Sequence, residues 1–167
     1  MSIGDGSSTA FQTARGEDYP ALRQFTIFLE NRVGQLTEVV KRFEGTGIRI
    51  CAISIADATE CAFVRFLLSD ADRGREILER SGLGIIETDL VGVELPSGNQ
   101  PLLSICSALL QAELNITQAY SLIVRPNGKP AVAIMVENPE SAINTLREKG
   151  FTIITEGDLS DDPTREN

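Results

Sequence analysis

An internal two-fold repeat, offset by 66 to 68 residues, runs through most of the chain. Leu36, Val39, Val40 and Phe43 fall at i, i+3, i+4 and i+7, as one apolar face of a helix requires. Leu102, Ile105, Cys106 and Leu109 reproduce that stripe at the same spacing. Ahead of the first stripe, Phe25, Ile27 and Leu29 alternate as in a half-buried strand; ahead of the second, Val91, Val93 and Leu95 do the same. After the first helix, which Gly45 and Gly47 stop, the spacing predicts a strand over 48–57 whose apolar phase slips after Ile50, the mark of a bulge. Its counterpart is a strand over 115–125.

The second part of each unit also recurs. Ala62, Val64, Phe66 and Leu68 alternate, and a hairpin at Asn127-Gly128 leads into the matching strand over 131–136. Asp70 is placed to cap a helix that Gly82 ends; Asn138-Pro139-Glu140 combines a cap, a proline at the first helical position and an early acid before Gly150. Last strands are expected over 84–88 and around Ile153-Ile154. Each unit therefore reads strand, helix, strand, strand, helix, strand. That order in about 65 residues is the split βαβ unit. The fold class is α+β, as two ferredoxin-like βαββαβ repeats with antiparallel sheets and helices on one face. The boundaries expected are a disordered tail over 1–21, repeats over 22–89 and 90–157, and an acidic disordered tail over 158–167. A lone unit buries modest apolar area, so two in one chain stabilise each other, their sheets lying edge to edge or face to face.

The absence of histidine removes Ser-His-Asp and Cys-His catalysis, the commonest zinc ligand and the usual near-neutral acid or base. A net charge of -9 argues against nucleic acid and anionic membrane surfaces, where lysine and arginine supply the affinity. No apolar run is long enough to span a bilayer and no signal peptide is evident, so a cytoplasmic protein is expected. Cys51, Cys61 and Cys106 lie apart in apolar runs, as reduced core cysteines do. No cofactor, metal site or catalytic residue is expected.

The first strand runs into Glu30-Asn31-Arg32-Val33-Gly34-Gln35-Leu36, and a second element, Gly45-Thr46-Gly47-Ile48-Arg49-Ile50, follows. Together with the duplicated six-element order, these make the chain resemble a tandem ACT-domain protein over about residues 23–157. The resemblance implies an allosteric module that binds amino acids between neighbouring units. The turn itself suits this role. Gly34 lets backbone approach a ligand closely, and the amides of Gly34, Gln35 and Leu36 at a helix start attract a carboxylate. The helix dipole adds roughly 0.3 to 1 kcal/mol there, and Asn31 can offer an amide to an α-carboxylate or α-ammonium group. Arg32 and Val33 complete the turn. In the second repeat Gln100 replaces the glycine and Pro101 lacks an amide hydrogen, leaving Ser97, Gly98, Asn99 and Gln100 to form a different turn or simply to start the helix.

The resemblance also directs attention to the second strand of each unit, here Ile53, Ser54 and Ile55, and Ala119, Tyr120 and Ser121. Ser54, Tyr120 and Ser121 are its candidate contacts. Arg65, in an otherwise apolar strand, either meets an anion or acts as an edge-strand charge. The leading expectation is a non-enzymatic ligand sensor, a homodimer that controls a separate enzyme. A ligand-free assembly subunit on the same fold is the alternative. A small enzyme using Glu30, Glu87 or Glu94 is the weakest reading, since solvated surface charge explains these acids.

Overall fold

The computed structural model describes residues 20–30 and 32–161. The first repeat contains β1 (Leu22–Glu30), α1 (Gln35–Lys41), β2 (Ile50–Asp57), β3 (Cys61–Leu68) and α2 (Ala71–Arg80). A ten-residue strand, β4 (Ile85–Glu94), then joins it to α3 (Pro101–Gln111), β5 (Ile116–Ser121), β6 (Ala131–Val136), α4 (Pro139–Glu148), β7 (Ile153–Ile154) and α5 (Glu156–Ser160). The sheet order is β2-β3-β1-β4-β6-β5, with β7 also on β4 and every pair antiparallel.

The two ferredoxin-like units thus share one strand. The sequence shows two strands, over 84–88 and from Val91; they are one continuous β4. Its first half pairs with β1, from Leu22↔Leu90 to Ile27↔Ile85, and its second half pairs with β6 and β7. No residue between Thr88 and Val91 turns the chain, so both ladders form on the same strand. The boundary expected between residues 89 and 90 falls inside this element.

Alternation along β1 sorts its residues onto two faces. Phe25, Ile27 and Leu29 pack with Val39, Phe43, Val64, Phe66 and Leu78 under the helices of the first repeat. Val91, Val93, Ile105, Leu109, Ile134, Ile143 and Leu146 build the matching core of the second. The opposite faces meet each other. Leu22, Cys51, Ala52, Leu67 and Leu90 pack against Ala131, Ala133, Ile154 and Leu159, giving a third core between the repeats. The edge-to-edge and face-to-face arrangements therefore occur together, because the sheet curls about β4.

Local signals in the sequence explain the caps. Asp70 accepts from the Arg73 amide at 3.0 Å and Asn138 from the Ser141 amide at 3.0 Å, each opening its helix. The expected bulge sits between Ile50 and Ala52, and β5 has its equivalent between Ile116 and Gln118. Three expectations change. The strand expected over 115–125 ends at Ser121, since the Ile123 amide leaves the ladder to donate to the Cys51 carbonyl at 2.7 Å. Asn127-Gly128 lies in a 3₁₀ turn within a longer connection, not in a two-residue hairpin. The acidic segment from Asp158 enters α5, where Thr155 and Asp158 form a reciprocal capping box and Leu159 is buried.

A charged clasp holds α5. Arg23, nearly buried on β1, donates to both carboxylate oxygens of Glu156 at 2.7 and 2.8 Å and to Asp72 of α2 at 2.7 Å. The forked hydrogen bonds raise the Arg23 pKa, and the guanidinium holds the Asp72 carboxyl below its usual range. Ala21, placed by sequence in the tail, is buried in the second repeat's core. Residues 1–19 and 162–167, the bulk of the expected tails, lie outside the described residues.

Candidate functional site

The first turn is built by a backbone reversal. The Arg32 amide donates to the Glu30 carbonyl at 2.8 Å, and Gly34 then takes φ 89° and ψ -11° as the cap of α1. That left-handed conformation costs most side chains roughly 1–2 kcal/mol, which glycine avoids. A Cβ on Gly34 would meet nothing within 4 Å, and Val33 is fully exposed, so the bend is open to solvent. No side chain among the described residues caps the helix. The Gln35 amide reaches the Arg32 carbonyl at a long 3.4 Å, while the amides of Gly34 and Leu36 meet no acceptor among the described residues. Of three amides expected to be bare, one is thus weakly engaged. Arg32 and Glu30 form an exposed ion pair at 3.5 Å. Asn31 lies outside the described residues.

The other candidates do not gather around this turn. Ser54 sits half-buried on β2, paired with Arg65, and β3 stands between that strand and β1. Tyr120 is turned into the inter-repeat core, where its hydroxyl donates to Gln24 at 2.6 Å while the Gln24 amide donates to Thr88 at 2.9 Å. Burial raises the Tyr120 pKa, against the opposing effect of the Arg65 charge. The tyrosine tip is therefore engaged within the chain. Ser121, next in β5, is exposed.

The second turn differs in kind. Gly98 has φ 129°, Gln100 caps α3 with no side-chain hydrogen bond, and Pro101 opens the helix. Ser97 borders a cavity of about 270 Å³ that also involves Glu94, Ser104, Lys129, Lys149 and Thr152. Lys129 and Glu94 form an ion pair at 3.0 Å, with Glu94 only 13% exposed. Neither lysine stands out in the sequence, because each reads as an ordinary turn or helix-end cation. Lys129 follows Asn127-Gly128 and Lys149 precedes Gly150; only the closeness of three loops unites them.

Among the described residues no group of three or more histidine, cysteine or acidic side chains could hold a metal ion. Cys51, Cys61 and Cys106 are free, and burial pushes the Cys51 thiol up to about 11. No helix among the described residues is long and apolar enough to cross a membrane.

A family model described as an ACT domain pair matches residues 21–162. Among solved structures, protein BT0572 from Bacteroides thetaiotaomicron is 28% identical with a TM-score of 0.76, over 86% of this chain and 98% of that one. The ligand-free regulatory subunit of aspartate kinase from Thermus thermophilus is 18% identical with a TM-score of 0.54, over 78% of this chain and 93% of that one. The corresponding subunit from Thermus flavus is 16% identical with a TM-score of 0.51 over the same shares, 78% and 93%. These last two share the fold. No curated protein matches the chain.

Proposed function

The chain belongs to the ACT-domain family as a tandem pair, and from that premise we propose that it is a non-catalytic sensor of a small ligand, an amino acid. The observation that carries this reading is the open bend at Gly34, where left-handed backbone exposes amides at the start of α1 that no side chain among the described residues caps. A carboxylate placed there accepts from the Gly34 and Leu36 amides, with Asn31, Arg32, Val33 and Gln35 around it. Ser54 and Ser121, exposed or half-exposed on the sheet edges, contribute when a second unit is brought alongside.

In this reading the protein is a cytoplasmic homodimer that controls a separate enzyme. Three free cysteines suit a reducing compartment. Leu103 and Leu110, seven residues apart on α3 and both well exposed, give an apolar strip for a second copy. Regulation requires the ligand to bind two states of the assembly with different affinity.

A thermal-shift panel of the common amino acids, run on the parent, Asn31→Ala and Gly34→Val, tests the proposal. A ligand at a hundred times its dissociation constant stabilises by about 2.7 kcal/mol, several degrees for a chain of this size. The reading expects one amino acid to raise the parent's melting temperature and to leave both variants unmoved. A parent that responds to none favours the ligand-free assembly subunit.

A further inference from the structure

We infer that the uncovered end of the first repeat's sheet is a separate binding site, for an apolar carboxylic acid that carries no amino group. Arg65 anchors the carboxylate, and Phe28, Phe63 and Ile86 receive the apolar body. The inference is independent of the sensor reading and its ligand is of a different class.

Alternation places Gln24, Thr26 and Phe28 of β1 on the face turned away from the helices, in register with Leu67, Arg65 and Phe63 of β3. The second repeat covers only part of this face. Leu67 is fully buried in the inter-repeat core, and Gln24 is held by the Tyr120 hydroxyl. Past that row the cover ends: Phe28 is 41% exposed, and Ile86, opposite Thr26 on β4, is 50% exposed. Phe28 and Phe63 meet edge to face with ring centroids 5.0 Å apart, which makes an apolar shelf.

Arg65 stands half-buried between this shelf and the covered row. It makes no hydrogen bond or ion pair among the described residues. Its cross-strand partners are Thr26 and Ser54, and its neighbours along the face are Phe63 and Leu67, all of them neutral. Because β3 lies between β2 and β1, the charge guards no sheet edge. In the second repeat the pair Gly92↔Ala133 takes the register of Thr26↔Arg65. There small residues let the faces close: a Cβ on Gly92 would stand 2.6 Å from the Leu22 side chain. Packing at this register therefore calls for no cation, and an unpaired, half-buried guanidinium costs stability.

A guanidinium offers parallel N–H donors to a carboxylate. The shelf beside it disfavours a bare inorganic anion, which would give up hydration against phenyl rings without return. An α-ammonium group finds no partner either. The acid on this face of β1, Glu30, lies four residues from Thr26, about 13 Å at the rise of a strand, and pairs with Arg32.

Isothermal titration of the full chain with 3-phenylpropionate, 4-methylpentanoate and octanoate tests the site. The acid that binds is then compared with its own amide and its L-2-amino derivative. At least one of the three acids is expected to bind, tenfold or more tighter than either derivative. Arg65→Gln and Ile86→Glu should each weaken it tenfold or more, while Gly34→Val leaves it unchanged. No binding by any of the three acids, or binding that survives both substitutions, overturns the inference; so does a derivative that binds as well as the acid. An acid whose binding is lost in Gly34→Val and kept in the other two variants sits at the first bend, and this inference falls while the sensor reading stands. Should Arg65→Gln fail to fold by circular dichroism, Ile86→Glu, at a half-exposed position, decides alone.

Discussion

The two repeats enter their first helices in different ways. The first uses a left-handed glycine, and its bend stands open with no side-chain cap among the described residues; the second uses Pro101, behind a turn that borders a polar cavity. Gln100 stands where the first unit has Gly34, and Pro101, with no amide hydrogen, where it has Gln35, so the second unit does not repeat the first unit's bend. Its polar groups come instead from the end of β4, the connection before β6 and the α4–β7 turn. Duplication preserved the scaffold while the two corners diverged, and one shared strand keeps them in fixed relation.

The largest effect tests that shared strand. Leu90 is fully buried between the repeats, opposite Leu22 on β1. Leu90→Ala is expected to cost about 2–5 kcal/mol, and the whole chain should still melt in one transition by calorimetry. Two separated transitions, with one repeat surviving the other, would mean that the repeats are independent bodies.

A pH effect of intermediate size distinguishes the two bulges. Cys51, in the first, is fully buried, whereas Thr117, its counterpart by the internal offset, is exposed. With the folded thiol pushed up to about 11, the unfolded chain ionises first, near pH 8.5 to 9. The neutral thiol's contribution is complete below that pH and is lost as pH rises to about 11, a loss of about 3 kcal/mol. Chemical denaturation across that window should show Cys51→Ala losing less stability than the parent. Equal slopes would show that the thiol reaches water as readily as Thr117 does.

The smallest effect concerns the positions where α1 and α3 give way to the next strand. Gly47 has φ 76°, and at the matching place the second repeat has Glu113 at φ 58°. Glu113→Gly removes left-handed strain and should stabilise by about 0.5–1 kcal/mol, measured by urea titration, while Gly47→Glu should destabilise by a similar amount. A destabilising Glu113→Gly would mean that the glutamate side chain makes up for its backbone.

Local rules made the helices, the caps and the first bulge legible. Asp70 and Asn138 announce helix starts through their own side chains, and the slipped phase after Ile50 records a bulge directly in residue order. Long-range features left fainter traces. The joining of two strands into β4 depends on partners far along the chain, and β5 stops early because Ile123 finds Cys51, 72 residues away. Leu159 gives α5 its anchor among acids that otherwise read as a solvated tail. At the candidate sites, the open glycine bend was visible as a motif, and the commitment of Tyr120 to Gln24 was not. The cavity gathers residues from three loops that no sequence window contains.

The central claim is that a small carboxylate rests on the amides of the first bend. Backbone amide NMR of the isotopically labelled chain, saturated with the amino acid that stabilises it most, tests this directly. The account predicts shifted signals for Gly34, Gln35 and Leu36, which vanish from the response in Gly34→Val. If those three amides keep their positions while the amino acid binds, the bend is a structural turn and the claim is wrong.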